Sequence, residues 1–226
     1  MCNFAICKIC TRQANMKHLH GYTADILVCK KMKKQFIFCY VCFIFCCSAY
    51  SQRNPLWATP VETNFVHNLY KVDSGVYRCA QPNKRAFSEL FEIGITTSVN
   101  LRYFETDKRK GKKTNLQLFN IKMLASRCKE DKIVAALQMI QNRQGSIVIH
   151  CKHGADRTGL IIALYRIVFQ GWDKESAIEE LEHGGYNFHS IYSNIPQYIR
   201  NLDVENLSEK VKLTIENEKK EMPKSK

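Results

Sequence analysis

The chain has 226 residues, 45% of them hydrophobic and 24% charged, which is the balance of a folded globular protein and excludes a disordered or fibrous one. A net charge of +13 favours anionic partners, but no basic stripe interleaved with aromatics runs through the sequence, so nucleic acid is not the expected partner. Eight of the 11 cysteines fall at or before Cys47, which excludes a disulfide framework spread through a domain.

From Met32 the chain reads "MKKQFIFCYVCFIFCCSAYSQ": two lysines, an uncharged apolar run from Phe36 to Cys47, then the small residues Ala49 and Ser51. This is the layout of a secretory signal peptide over residues 32–51, with cleavage near Ser51/Gln52 and export to the periplasm or the medium. The run is well short of the roughly 20 residues that a bilayer core requires, so no stable membrane span is expected after cleavage. Residues 1–31 read as a translated upstream stretch. Their "CKIC" (Cys7 to Cys10) with His18 and His20 lacks a second cysteine pair, and no metal site is expected there.

Residues 52–68 form an extended lead-in whose prolines oppose a helix. Tyr70 to Cys79 alternate around Asp73, Ser74 and Gly75, which predicts a hairpin. "KRAFSELFEIG" spaces Phe87, Leu90 and Phe91 for a helix that stops at Gly94. "ITTSVNLR" and "LQLFNIKML" predict strands on either side of a charged loop, and "KEDKIVAALQMIQNRQG" predicts an amphipathic helix. A strand over Ser146 to His150, a loop over Cys151 to Arg157 and a helix from Thr158 follow. Two more helices are predicted, one capped by Asp173 and one over "SIYSNIPQYIRNL". The charged tail, residues 204–226, is expected to fray. Strands alternating with helices define an α/β fold: one domain over 69–203, with a small, mostly parallel sheet flanked by helices on both faces. Ligands of such folds bind beyond the carboxyl ends of the strands, where Cys151 stands.

"VIHCKHGADRTG", residues 148–159, carries the chemistry. A phosphate dianion needs several inward donors, and a loop entering a helix N-terminus supplies free amides and a favourable dipole. Lys152, His153, Gly154 and Ala155 form that loop; Gly154 permits backbone angles closed to larger residues, and Lys152 and His153 add positive character. The Arg157 fork matches two phosphoryl oxygens. The same positive field favours a thiolate at Cys151, which would attack phosphorus in line and form a phosphocysteine that water hydrolyses. The Thr158 hydroxyl is expected to bond the sulfur. His150 is expected to orient the loop rather than to exchange protons.

"HCKHGADRTG" resembles the HC-x5-R-[ST]-G signature of cysteine-dependent protein tyrosine and dual-specificity phosphatases, and "VYRCAQPN" and "SVNLR" resemble segments of its compact bacterial and plant branch. The resemblance implies phosphomonoester hydrolysis without a cofactor or metal, with Cys151 as nucleophile and Arg157 as clamp. It assigns scaffolding to Arg78, Gln81 and Arg102. Members of the family carry a general-acid Asp after the strand preceding the signature, where this chain reads "IKMLASRCKEDK". Glu130, Asp131 and the earlier Asp107 are alternative acids. Asp156, placed in the loop as in myotubularin-like lipid phosphatases, is the other candidate, since a carboxyl forced against a phosphate dianion is favoured in its acid form. A carboxylate that merely pairs with Arg157 or a lysine is the competing reading of Asp156.

The expected partners are a phosphorylated protein or a small phosphorylated metabolite or lipid head group, phosphoinositides and inositol phosphates included. Two other classes compete with this reading: a catalytically weak phosphate-binding module, and sulfur transfer of the rhodanese kind. The intact Cys151 and Arg157 oppose the first. The five-residue gap and the Thr-Gly that follows oppose the second.

Overall fold

Alternating strands and helices make up the computed structural model, which describes residues 53–221. The leader read over 32–51 and the upstream stretch with Cys7, Cys10, His18 and His20 lie outside the described residues. In chain order the elements are β1 (Thr59–Pro60), β2 (Tyr70–Lys71), β3 (Val76–Cys79), α1 (Lys84–Glu92), β4 (Ile95–Arg102), β5 (Gln117–Met123), α2 (Glu130–Gln141) and β6 (Ser146–His150). Then come α3 (Asp156–Gln170), α4 (Lys174–His183), a 3₁₀ turn (Ser190–Tyr192), α5 (Asn194–Arg200) and α6 (Val204–Glu221). None of the described helices is long and apolar enough to cross a membrane.

The six strands form one sheet in the order β1-β2-β3-β6-β4-β5. β3, β6, β4 and β5 are parallel, and β1 and β2 add an antiparallel edge. The hairpin is set by Asp73, whose Oδ1 accepts from the amides of Gly75 and Val76, each at 2.9 Å. β6 is central, and its residues alternate between two cores. Ile147 and Ile149 join Val99, Leu101, Ile133, Leu137 and Leu160 on the face that α2 to α6 cover. Val148 joins Cys79, Ile95, Phe87 and Leu90 on the face that α1 covers. Each of these large side chains stabilises the fold by about 1.5–3 kcal/mol on burial. α1 is capped by Asn83, whose Oδ1 accepts from Arg85 and Ala86, and ends before Gly94, which takes φ +88.

Both ends of the domain depart from expectation. The charged tail does not fray after Asn206. It forms α6, where Asp203 caps the start by accepting from the Asn206 amide at 2.9 Å. Leu207 and Val211, one turn apart, are buried with the residues of α2 and α3. The lead-in is likewise part of the domain. Ala58 is buried, its amide donates to Glu180 Oε1 at 2.7 Å, and β1 pairs with β2. The boundaries at 69 and 203 are therefore too narrow: two apolar residues at helical spacing outweigh a charged surface, and a single strand pairing recruits an extended segment.

Candidate active site

β6 delivers the chain to Cys151 at the carboxyl end of the central strand, and α3 leaves from the far side of the loop. The helix begins at Asp156, two residues earlier than expected, with that acid in its first turn. Between them, the amides of residues 152–155 donate to no acceptor among the described residues, which leaves them available to an anion.

The loop is held from behind. Gly154 takes φ +73, and a Cβ there would stand 2.5 Å from the carbonyl oxygen of Cys79. This position therefore needs glycine both for its backbone angle and for its contact with the end of β3. Arg78, buried beneath the loop, donates from Nη2 to the Gly154 carbonyl at 2.8 Å and stacks on the Tyr186 ring at 3.5 Å. Asn68 donates to the carbonyls of His153 at 2.8 Å and of Tyr186 at 3.1 Å, and the Gln81 amide donates to the Lys152 carbonyl at 3.2 Å. The carbonyls thus face the scaffold while the amides stay free.

His150 is fully buried, and its Nε2 lies 2.8 Å from Asp107 Oδ2. Asp107 Oδ1 accepts from Gln81 Nε2 at 2.8 Å and from Asn100 Nδ2 at 3.1 Å. Both carboxylate oxygens are occupied in a buried network, so Asp107 is not placed to give a proton to a leaving group. It orients His150, whose buried Nδ1 has no hydrogen-bond partner among the described residues, so the expected bond from His150 to the loop is not formed. Gln81 also accepts from Arg102 Nη1 at 3.2 Å, and Arg102 pairs with Glu105, consistent with scaffolding roles for Arg78, Gln81 and Arg102.

Cys151 is fully buried at the strand end, against the core beneath the loop, and is a free thiol. In front of the loop opens a hollow of about 290 Å³ lined by Lys152 and Arg157, with Arg102, Leu124, Ser126 and Tyr192 among its other walls. Arg157 Nη1 reaches the Met123 carbonyl at the end of β5 at 3.4 Å, and its buried Nε has no hydrogen-bond partner among the described residues. The buried Thr158 hydroxyl also has no partner among the described residues, so the expected bond to the sulfur is not formed.

Of the remaining candidate acids, Asp156 is buried next to Arg157, while Glu130 and Asp131 are not at the site. Those two begin α2 at the surface, paired with Lys210 and Lys132. Asp156 Oδ1 accepts from the His189 amide at 3.0 Å and lies 2.9 Å from His189 Nδ1. His189 had no motif to mark it; it arrives from the segment between α4 and the 3₁₀ turn and packs near His153 and Tyr192, with ring centroids at 4.9 and 6.4 Å. Burial, then the charges of His189 and Lys152, hold the His153 imidazole below its usual value. Asn68 was missed as well, although its φ of +55 marks a backbone position that asparagine tolerates better than most residues.

With this geometry in place, the comparisons with known proteins assign the class. Residues 64–221 match the family model described as the tyrosine phosphatase family. The chain belongs to that family, whose members are cysteine-dependent phosphatases. It is 34% identical over 158 residues to the dual specificity protein phosphatase TpbA of Pseudomonas aeruginosa, covering 69% of this chain and 71% of that protein. A crystal structure of TpbA in complex with pTyr matches with a TM-score of 0.63 at 33% identity, covering 70% of this chain and 96% of that one. The inositol diphosphatase DSP4 of Arabidopsis thaliana is 29% identical over 126 residues, covering 51% of this chain and 62% of that protein.

Proposed function

We propose that Cys151 is the nucleophile of this phosphatase and that Arg157 and the free amides of residues 152–155 hold the phosphoryl group. The observation that carries this is the pairing of unoccupied donors with a fixed loop. Every carbonyl contact described above ties the loop to the scaffold, while four amides and the Arg157 Nε are left for the ligand. Such donors stabilise charge as it develops on the phosphoryl oxygens. The Cys151 sulfur displaces the alcohol or phenol, forming a phosphocysteine, and water then cleaves the S–P bond. Asp156 supplies the proton to the leaving oxygen, a role the "LASRCK" segment after β5 does not fill because it contains no acid.

The substrate is a phosphorylated protein side chain, phosphotyrosine foremost, since the TpbA crystal structure holds pTyr. A small polyphosphorylated substrate, as the name of DSP4 records for that protein, is the second reading. One observation favours it: a groove of about 570 Å³ lined by Lys122, Arg127, Lys129 and Lys132 shares Tyr103 and Leu124 with the catalytic hollow. The enzyme is exported after cleavage near Ser51/Gln52, a reading supported by the Met32–Ser51 pattern alone.

The test is direct. The purified chain is expected to hydrolyse a chromogenic aryl phosphate in EDTA, to be blocked by vanadate, and to lose turnover in Cys151→Ser; turnover surviving that substitution overturns the mechanism. Rates on matched phosphopeptides, phosphoinositides and inositol phosphates decide the substrate. Mass spectrometry of the native protein is expected to find Gln52 at the amino terminus, and an intact Met1 or Met32 refutes export by cleavage.

A further inference from the structure

Beside the hollow lies a cluster whose full donor set phosphoryl transfer does not require. His153, Asp156 and His189 each offer one ligating atom, and these three atoms lie within 4.8 Å of one another. Two ligands of a tetrahedral zinc ion, bound at about 2.0 Å, stand about 3.3 Å apart. His189 Nδ1 and Asp156 Oδ1, at 2.9 Å, are already close to that spacing. Asp156 is also held by the His189 main-chain amide at 3.0 Å, a contact that does not depend on the ring. His153 is exposed, its ring makes no hydrogen bond among the described residues, and its centroid is 4.9 Å from that of His189. Its ligating nitrogen already lies within 4.8 Å of the other two donors.

Two imidazoles and one carboxylate form a borderline donor set. Magnesium and calcium prefer oxygen alone, whereas zinc-class ions take this mixture and keep a fourth position open when three protein ligands are present. We propose that His153, Asp156 and His189 form a binding site for a divalent ion of the zinc class, and that occupation of this site switches the phosphatase off. His153 is two residues after the nucleophile and Asp156 is one before the clamp, so an ion held by both sits beside the substrate and engages the carboxyl assigned to the leaving group. Binding is independent of the phosphatase mechanism. Inhibition rests on the role proposed for Asp156, and the two are measured separately.

The full chain has ten cysteines besides Cys151, so the binding readout must be specific to imidazole. The ring nitrogens of His153 and His189 are followed by NMR as Zn²⁺ is added to the Cys151→Ser chain. Both are expected to move together and saturate at one ion, and Mg²⁺ at the same concentration is expected to move neither. His153→Ala is expected to weaken the response at His189 by more than about tenfold. An unmoved pair, or a His189 response with an unchanged midpoint in His153→Ala, overturns the site. For the switch, Zn²⁺ is expected to inhibit the wild-type chain reversibly in EDTA wash-out, with His153→Ala raising the half-inhibiting concentration more than about tenfold. An unchanged half-inhibiting concentration overturns the regulatory role while leaving the binding result to stand on its own.

Discussion

The molecule contains two imidazole–carboxylate pairs of nearly equal length and unequal depth. His150 and Asp107 stand 2.8 Å apart with side chains 0% and 2% exposed, whereas His189 and Asp156 stand 2.9 Å apart with 42% and 4% exposed. In both pairs each carboxylate oxygen has a partner, but the deep pair is closed within the interior and fixes the strand end from which the loop springs. In the shallow pair one ring faces solvent beside the hollow. Contact chemistry is the same in both; access to solvent separates a structural pair from one that can exchange a proton or an ion.

That contrast can be broken in several ways. The largest effect is expected from Asp107→Ala, which strands the donors of Gln81, Asn100 and His150 in the interior and costs about 3–5 kcal/mol of stability. Urea denaturation measures it, and a wild-type midpoint would show that the deep pair is not structural. Asp156→Asn is expected to lower kcat on alkyl phosphates by about 10²–10³-fold, with a much smaller loss on aryl phosphates that have good leaving groups. Equal losses on the two substrates contradict the acid assignment. His189→Ala is expected to cost about tenfold on the alkyl substrate, because the main-chain amide still holds Asp156; steady-state kinetics with matched circular dichroism separates this from unfolding. The smallest effect concerns the thiol beside the deep pair. Burial, then the charges of Asp107 and Cys151, push the Cys79 thiol well up. Iodoacetamide is therefore expected to leave Cys79 intact in the folded chain and to modify it only after denaturation, as peptide mass spectrometry can read.

Periodicity and punctuation made most of the fold legible. The apolar run of β6, the spacing of Phe87 and Leu90 before Gly94, and Asp73 in the hairpin are local signals that tertiary packing reinforces. The proposed nucleophile, the proposed clamp and the loop glycine were legible because they are contiguous in sequence. His189 and Asn68 were not, since they reach the loop across 33 and 85 residues and no spacing rule connects them. Asp107 was found as an acid but its role was misread: burial beside Gln81 and Asn100, which turns it from donor into scaffold, is a property of the packed state alone. The tail was misjudged because its charges are dense and its two buried residues few.

Gly154 carries a consequence for how the enzyme meets its ligand. Because the loop lies against the carbonyl of Cys79 with no room for even a methyl group, it cannot slide on the sheet without the strand beneath it moving as well. The entropy of shaping the anion cradle is thus spent when the chain folds, and capture of an oxyanion requires little further ordering of the backbone. Oxyanions should for that reason be discriminated by fit to a fixed ring, with phosphate and vanadate preferred over flat trigonal anions such as nitrate.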